Sequence, residues 1–87
     1  MFTNKKKQQE IKRQFGIYYM YSSKFTDIKK ASKRGFSTSI EGAIGIAAWH
    51  IARDDYYPKA VIVDRYSLKI IRILNRTVEG ISIIVKD

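Results

Sequence analysis

The chain has no cysteine, one histidine and one proline in 87 residues, and fewer than half as many acids as bases. Without cysteine there is no disulfide, no thiolate metal site and no cysteine nucleophile. His50 alone cannot complete a metal centre, which needs three or four ligands. On a helical wheel it falls beside Ala43, at the margin of a buried face, where a structural role is expected. No glycine loop precedes a helix to cradle a phosphate, because Gly42 and Gly45 fall inside one. No Gly-x-Ser-x-Gly and no triad is present. Asp54-Asp55 is the only adjacent acidic pair, and neighbouring side chains at a helix end diverge. Whether Asp64 and Glu79 converge cannot be read from spacing. The reading is a non-enzymatic protein with no cofactor and no metal.

Long apolar runs are also missing. Nothing approaches the roughly 18 apolar residues of a membrane span, and the basic start lacks the apolar stretch of a secretory signal. The expectation is a soluble, cytoplasmic protein with no membrane partner. A cysteine-free chain suits a reducing compartment. The length fits one small domain, and 45% hydrophobic residues are enough to fold it.

What is present is positive charge, concentrated at one end. Residues 1–36 hold Lys5, Lys6, Lys7, Lys12, Arg13, Lys24, Lys29, Lys30, Lys33 and Arg34 against Glu10 and Asp27, a net of +8 out of +9. A fold does not require this separation, so it speaks of partners. Residues 1–15 read as a basic N-terminal arm, with Ile11 and Phe15 spaced to lie together on a short helix. Residues 16–87 read as a single α+β domain.

Within that domain Gly16 opens a first strand, Ile17-Tyr18-Tyr19-Met20-Tyr21, rich in strand-forming side chains. Residues 22–35 are polar and basic, either a long loop or a hairpin with a weak second strand around Ile28–Ser32. Loop-length economy favours the hairpin. Thr38-Ser39-Ile40-Glu41 has the form of a capping box, with Phe36 placed to staple it. Ile40, Ala43, Ile44, Ala47, Ala48 and Ile51 follow at helical spacing, predicting a helix over 39–53 ended by Asp54-Asp55 and Pro58. Three strands complete the chain, over Lys59–Asp64, Leu68–Leu74 and Gly80–Val85. Their short turns, at Tyr66-Ser67 and Asn75–Glu79, predict an antiparallel meander. The fold expected is one amphipathic helix on a four- to five-stranded antiparallel sheet, in the order β(β)αβββ.

Two surfaces emerge as candidates for binding. The basic residues named above, if they share a face, would contact several phosphates or an acidic protein surface. The second is Trp49, with Ile46, Gly42, Gly45 and Arg53 around it, nearly opposite the apolar stripe of the helix. It is either an interface hot spot or a face covered by Ile11 or Phe15. Tyr18, Tyr19 and Tyr21 put aromatics on both faces of the sheet, as in platforms that stack single-stranded bases. They also suit a sheet with only one covering helix. The isoleucines and valines of the second sheet face would tolerate pairing with a second copy, giving a homodimer.

The stretch from Gly35 to Leu74, F-S-T-S-I-E-G-A-I-G-I-A-A-W-H-I-A-R-D-D followed by K-A-V-I-V-D-R-Y-S-L-K-I-I-R-I, resembles small bacteriophage-encoded proteins of the counter-defence, anti-CRISPR type. That resemblance covers about half the chain and is one of fold type, without a shared motif. It implies an accessory inhibitor, acting in the host cytoplasm, that occludes an acidic or nucleic-acid-handling surface of a host protein or nucleoprotein complex. The alternative is direct binding of DNA or RNA with little sequence preference. Size, charge and the closing meander (Lys59–Val85) are also similar to RelE-like ribonuclease toxins. That family has a helical pair where this chain has one helix, and no catalytic residue can be matched to it.

Overall fold

The computed structural model describes residues 14–86. It is an α+β fold, with one helix on a five-stranded antiparallel sheet in the order β2-β1-β3-β4-β5. The strands are β1 (Phe15–Met20), β2 (Lys33–Ser37), β3 (Lys59–Asp64), β4 (Ile70–Thr77) and β5 (Gly80–Val85), and the helix α1 is Ile40–Arg53. β1 pairs with β2 on one side and β3 on the other, so β3, β4 and β5 form the meander at the far side. Lys5, Lys6, Lys7, Lys12 and Arg13, and with them the expected arm helix around Ile11, lie outside the described residues. Phe15 belongs to β1, not to a helix, and is buried in the core.

Strand alternation divides the core in two. Phe15, Ile17, Tyr19, Ala60, Ile62 and Leu74 face α1, which meets them with Ala43, Ala47 and Ile51. Alanine at two contact positions lets the helix axis lie close to the sheet. Met20, Val61 and Val63 point to the opposite face, where Phe25, Ile28 and Ala31 cover them. The second face is therefore not open beneath β1 and β3. Residues 21–32 fold across it as a lid.

This lid explains why the second strand begins later than the sequence suggests. Ile28 is drawn onto Val61 and Val63. The Asp27 carboxylate accepts from the Lys29 N–H at 3.0 Å and starts a 3₁₀ turn over Ile28–Lys30. β2 forms only after it, at Lys33. Lys59 anchors the lid from below: it is 5% exposed and its ammonium donates to the Ser23 carbonyl at 3.1 Å. Burial lowers its pKa from the ordinary lysine value.

The cap of α1 also differs from the sequence reading. Ser39, not Thr38, is the capping residue, its hydroxyl accepting from the Gly42 N–H at 3.0 Å. Glu41 then falls at the second helical position, where its charge suits the helix dipole but cannot close a box. Gly42 occupies the third. A Cβ there would stand 2.6 Å from Ser37 Oγ, so glycine serves the cap and offers no open backbone. Phe36 pairs with Gly16 on the face turned away from α1, so it does not staple the helix.

At the other end of α1, Arg76 on β4 donates to the carbonyls of Ile51 (2.7 Å), Asp54 (2.8 Å) and Asp55 (3.1 Å). A guanidinium at a helix C-terminus satisfies orphan carbonyls and opposes the dipole. The sequence reading puts Asn75–Glu79 in a turn. The structure keeps Asn75, Arg76 and Thr77 in β4, because Gly80 at φ 137° allows a tighter turn at Val78-Glu79. β4 likewise begins at Ile70, not Leu68. The Asp64 carboxylate accepts from the N–H groups of Tyr66 (2.8 Å) and Ser67 (3.3 Å), carrying that turn through Leu68 at φ 60°.

Arg76→Ala is expected to destabilise the fold by about 2–4 kcal/mol in urea denaturation, because three helix-end carbonyls lose a charged donor. Asp55 sits in solvent, with its carboxylate 3.9 Å from Arg76, so Asp55→Ala should leave the midpoint essentially unchanged. Equal effects of the two changes would contradict the clamp.

Candidate functional site

The described cations of the basic third gather along the β2 edge, but on two flanks. Lys33 and Arg34 are adjacent in an edge strand, so they point to opposite faces. Arg34 lies over the Tyr18 ring at 5.6 Å, and Lys30 lies over Phe25 at 4.8 Å. Both of those rings belong to the lid side. Lys33 lies over Tyr19 on the helix side, at 5.6 Å. Lys24 and Lys29 are exposed in the lid. Among the described residues none of these five side chains pairs with a carboxylate, and the charge stays available.

Trp49 is 54% exposed on the outer surface of α1, with Arg53 over its ring at 4.4 Å. Arg53 also donates to the Trp49 carbonyl at 3.3 Å. Trp49, Gly45, Ile46 and His50 line a shallow hollow there. Phe15 does not reach it, being held in β1 beneath the helix.

The basic and tryptophan surfaces meet through a file of rings. Phe25 packs edge-on to Tyr21 at 4.9 Å, and Tyr21 lies 6.2 Å from Tyr56. Tyr56 meets Tyr57 at 4.9 Å, Tyr57 meets Tyr19 at 5.7 Å, and Tyr19 meets His50 at 5.4 Å. His50 is edge-on to Trp49 at 5.1 Å. The file runs from the lid, past the end of β1, to the outside of α1. Tyr21, Tyr56 and Trp49 are its exposed members, while Tyr19 is buried. Lys30, Lys33 and Arg53 sit over rings along it, each such contact worth about 0.5–1 kcal/mol at exposed sites.

Tyr19 is thus unavailable to stack a base, and a sheet-face platform of tyrosines is not formed. Its hydroxyl has no hydrogen-bond partner among the described residues. Burial pushes its pKa up to about 12. His50 is half-buried between two rings. No group of three or more histidine, aspartate or glutamate side chains converges among the described residues. None of the helices among them is long and apolar enough to cross a membrane.

Sequence reasoning missed Tyr56 as a member of this surface and Lys59 as the anchor of the lid. Tyr56 follows a helix stop and carries no periodic signal. Lys59 looks like any polar residue that opens a strand. Comparison with protein-family models, curated proteins and solved structures finds no match for this chain.

Trp49 is the sole tryptophan, so its fluorescence reports this surface alone. Acrylamide should quench it readily in the folded protein, and Trp49→Ala should shift stability by no more than about 0.5 kcal/mol. Strong protection from the quencher would refute an accessible Trp49.

Tyr19 gives a pH signature. With its pKa raised from 10.0 to about 12, its contribution is intact below pH 10 and falls as pH rises toward 12. That limb amounts to about 2–3 kcal/mol. Tyr19→Phe should remove it, and at neutral pH should be neutral or stabilising by up to about 1 kcal/mol. The pH dependence of urea midpoints checks both.

Proposed function

We propose that this protein is a non-enzymatic binding module that docks its basic edge into an acidic or nucleic-acid-handling surface of a larger complex. The observation that carries the reading is the disposition of charge around β2. Lys30 and Arg34 stand on one flank, Lys33 on the other, and none is neutralised by a carboxylate among the described residues. Helix and lid cover the sheet beside this strand, so the cations form a projecting ridge with no groove. A ridge suits insertion into an acidic cleft and its occlusion. An inhibitor of the phage accessory type would act in this way, by occupying a site without catalysis.

A second reading, direct binding of DNA or RNA, draws on Tyr21, Tyr56 and Trp49. They are exposed rings with cations close by, the combination that holds single strands through stacking and phosphate contacts. The two readings part on what competes for the edge. If a protein surface is the target, capture from host lysate survives nuclease treatment, and random oligonucleotides show no gel shift at low salt.

Under either reading affinity should fall steeply with salt. Neutralising five phosphates of a duplex corresponds to a log–log slope of about −4 to −5. The combined change of Lys29, Lys30, Lys33 and Arg34 to Glu should abolish binding while leaving the circular dichroism spectrum intact. Binding that ignores both salt and charge reversal would remove the proposal.

A further inference from the structure

The two edges of the sheet are built for opposite purposes. β2 carries Lys33 and Arg34 on its two faces, a pattern that discourages pairing with another strand. β5 reads Gly80-Ile81-Ser82-Ile83-Ile84-Val85, with no charge and no proline inside it. Ile83, Ile84 and Val85 are 47%, 44% and 58% exposed. Among the described residues no strand pairs with its outer side.

Backbone direction shows what that side offers. The Lys86 N–H donates inward to the Ile71 carbonyl at 2.9 Å. By strand alternation Ser82 and Ile84 also turn their backbone groups toward β4, leaving Ile81, Ile83 and Val85 with N–H and C=O directed outward. We infer that a second copy of this chain pairs antiparallel along β5, on a two-fold axis through Ile83.

In that register Ile83 faces its own counterpart and Ile81 faces Val85, each as a hydrogen-bonded pair. Every outward backbone group of the strand between Ile81 and Val85 is then satisfied. No other register of β5 on itself uses them all. The same residues share the helix side of the sheet, because they pair with Arg76, Leu74 and Arg72 of β4. Their side chains therefore form one apolar row across the junction, with Ser82 against Ile84 on the opposite face. An isologous contact needs this self-complementarity.

Charge selects the same edge. The chain carries +9, of which +8 lies in residues 1–36. β2 and β5 are the two outer strands of the sheet, so joining through β5 keeps the charged β2 edges of the two copies apart. β5 itself is uncharged from Gly80 to Val85, and both basic ridges remain free. The result is one continuous ten-stranded sheet, twice the five of each copy.

Sedimentation equilibrium of the full chain over a concentration series tests this. The expected mass is twice 10.1 kDa, reverting to the single-chain value in Ile83→Lys. The absence of native cysteine permits a register test that does not depend on that variant's folding. Antiparallel hydrogen-bonded pairs place Cα atoms about 5.5 Å apart, within disulfide range. Under mild oxidation Ile83→Cys should cross-link rapidly, while Ile81→Cys and Val85→Cys alone should not, since each faces the other in the partner. An equimolar mixture of those two should cross-link. A monomer at every concentration overturns the inference. So does a dimer that survives Ile83→Lys, or cross-linking of Ile83→Cys no faster than its neighbours. Capture of a different polypeptide along β5 in place of a second copy would overturn it as well.

Discussion

β1 lies inside the sheet, hydrogen-bonded on both sides, and it is apolar on both faces; the rest of the molecule follows from covering them. Ile17 and Tyr19 demand a layer on one face, and α1 supplies it. Met20, with Val61 and Val63 beside it, demands a layer on the other. Among the described residues no second α-helix covers that face. Residues 21–32 do the work instead, folded flat by Phe25, Ile28 and Ala31 and held by the buried ammonium of Lys59. Because those residues are used as a lid, β2 is postponed to Lys33–Ser37 and becomes the outer strand. Its bases then stand at the rim of the molecule.

The aromatic file is the other consequence of that arrangement. Tyr19 sits where β1 ends, under the last turn of α1 and beside the loop that leads into β3. Rings from the lid, the helix and the loop after it therefore meet around one buried phenol. The cations along the file come from three separate elements, the lid, β2 and α1. Tyr19 and Tyr57 belong to the packing between sheet and helix, while the outer rings extend the file to the surface. The file brings the exposed rings of Tyr21, Tyr56 and Trp49 close to the cations Lys30, Lys33 and Arg53. The sheet has a margin at β2 that carries Lys33 and Arg34 and a margin at β5 that is uncharged and apolar.

Where periodicity was strong, it was a sufficient guide. The apolar stripe from Ile40 to Ile51 marks α1 to within a residue, and the alternation in Gly80–Val85 marks β5 and its two sides. The extent of β3 is legible instead from its unbroken apolar run, Ala60 to Val63. Local chemistry misleads where two solutions have similar energy. Thr38 and Ser39 can each cap a helix, and it is the Ser39 hydroxyl that accepts from the Gly42 N–H. Asn75 and Thr77 have turn character, yet β4 runs through them because Arg76 is held at the helix end. Ile28 looks like the start of a strand because nothing in its neighbours announces the valines it will cover.

Composition and pattern alone determined the class of fold, the span of the helix, the closing meander and the segregation of charge, because these depend on local spacing and on counting. The tertiary structure decided which strand lies at which edge, what shields the second face of the sheet, and that Lys33 and Arg34 part to opposite flanks. It also decided that Trp49 lies on the outer, exposed side of α1 and is joined to the lid by a file of ring contacts that passes through the buried Tyr19. These depend on contacts between residues far apart in the chain, such as Lys59 with Ser23 and Tyr19 with His50. Such contacts leave no periodic trace in either segment, since each partner alone is an ordinary residue in an ordinary place.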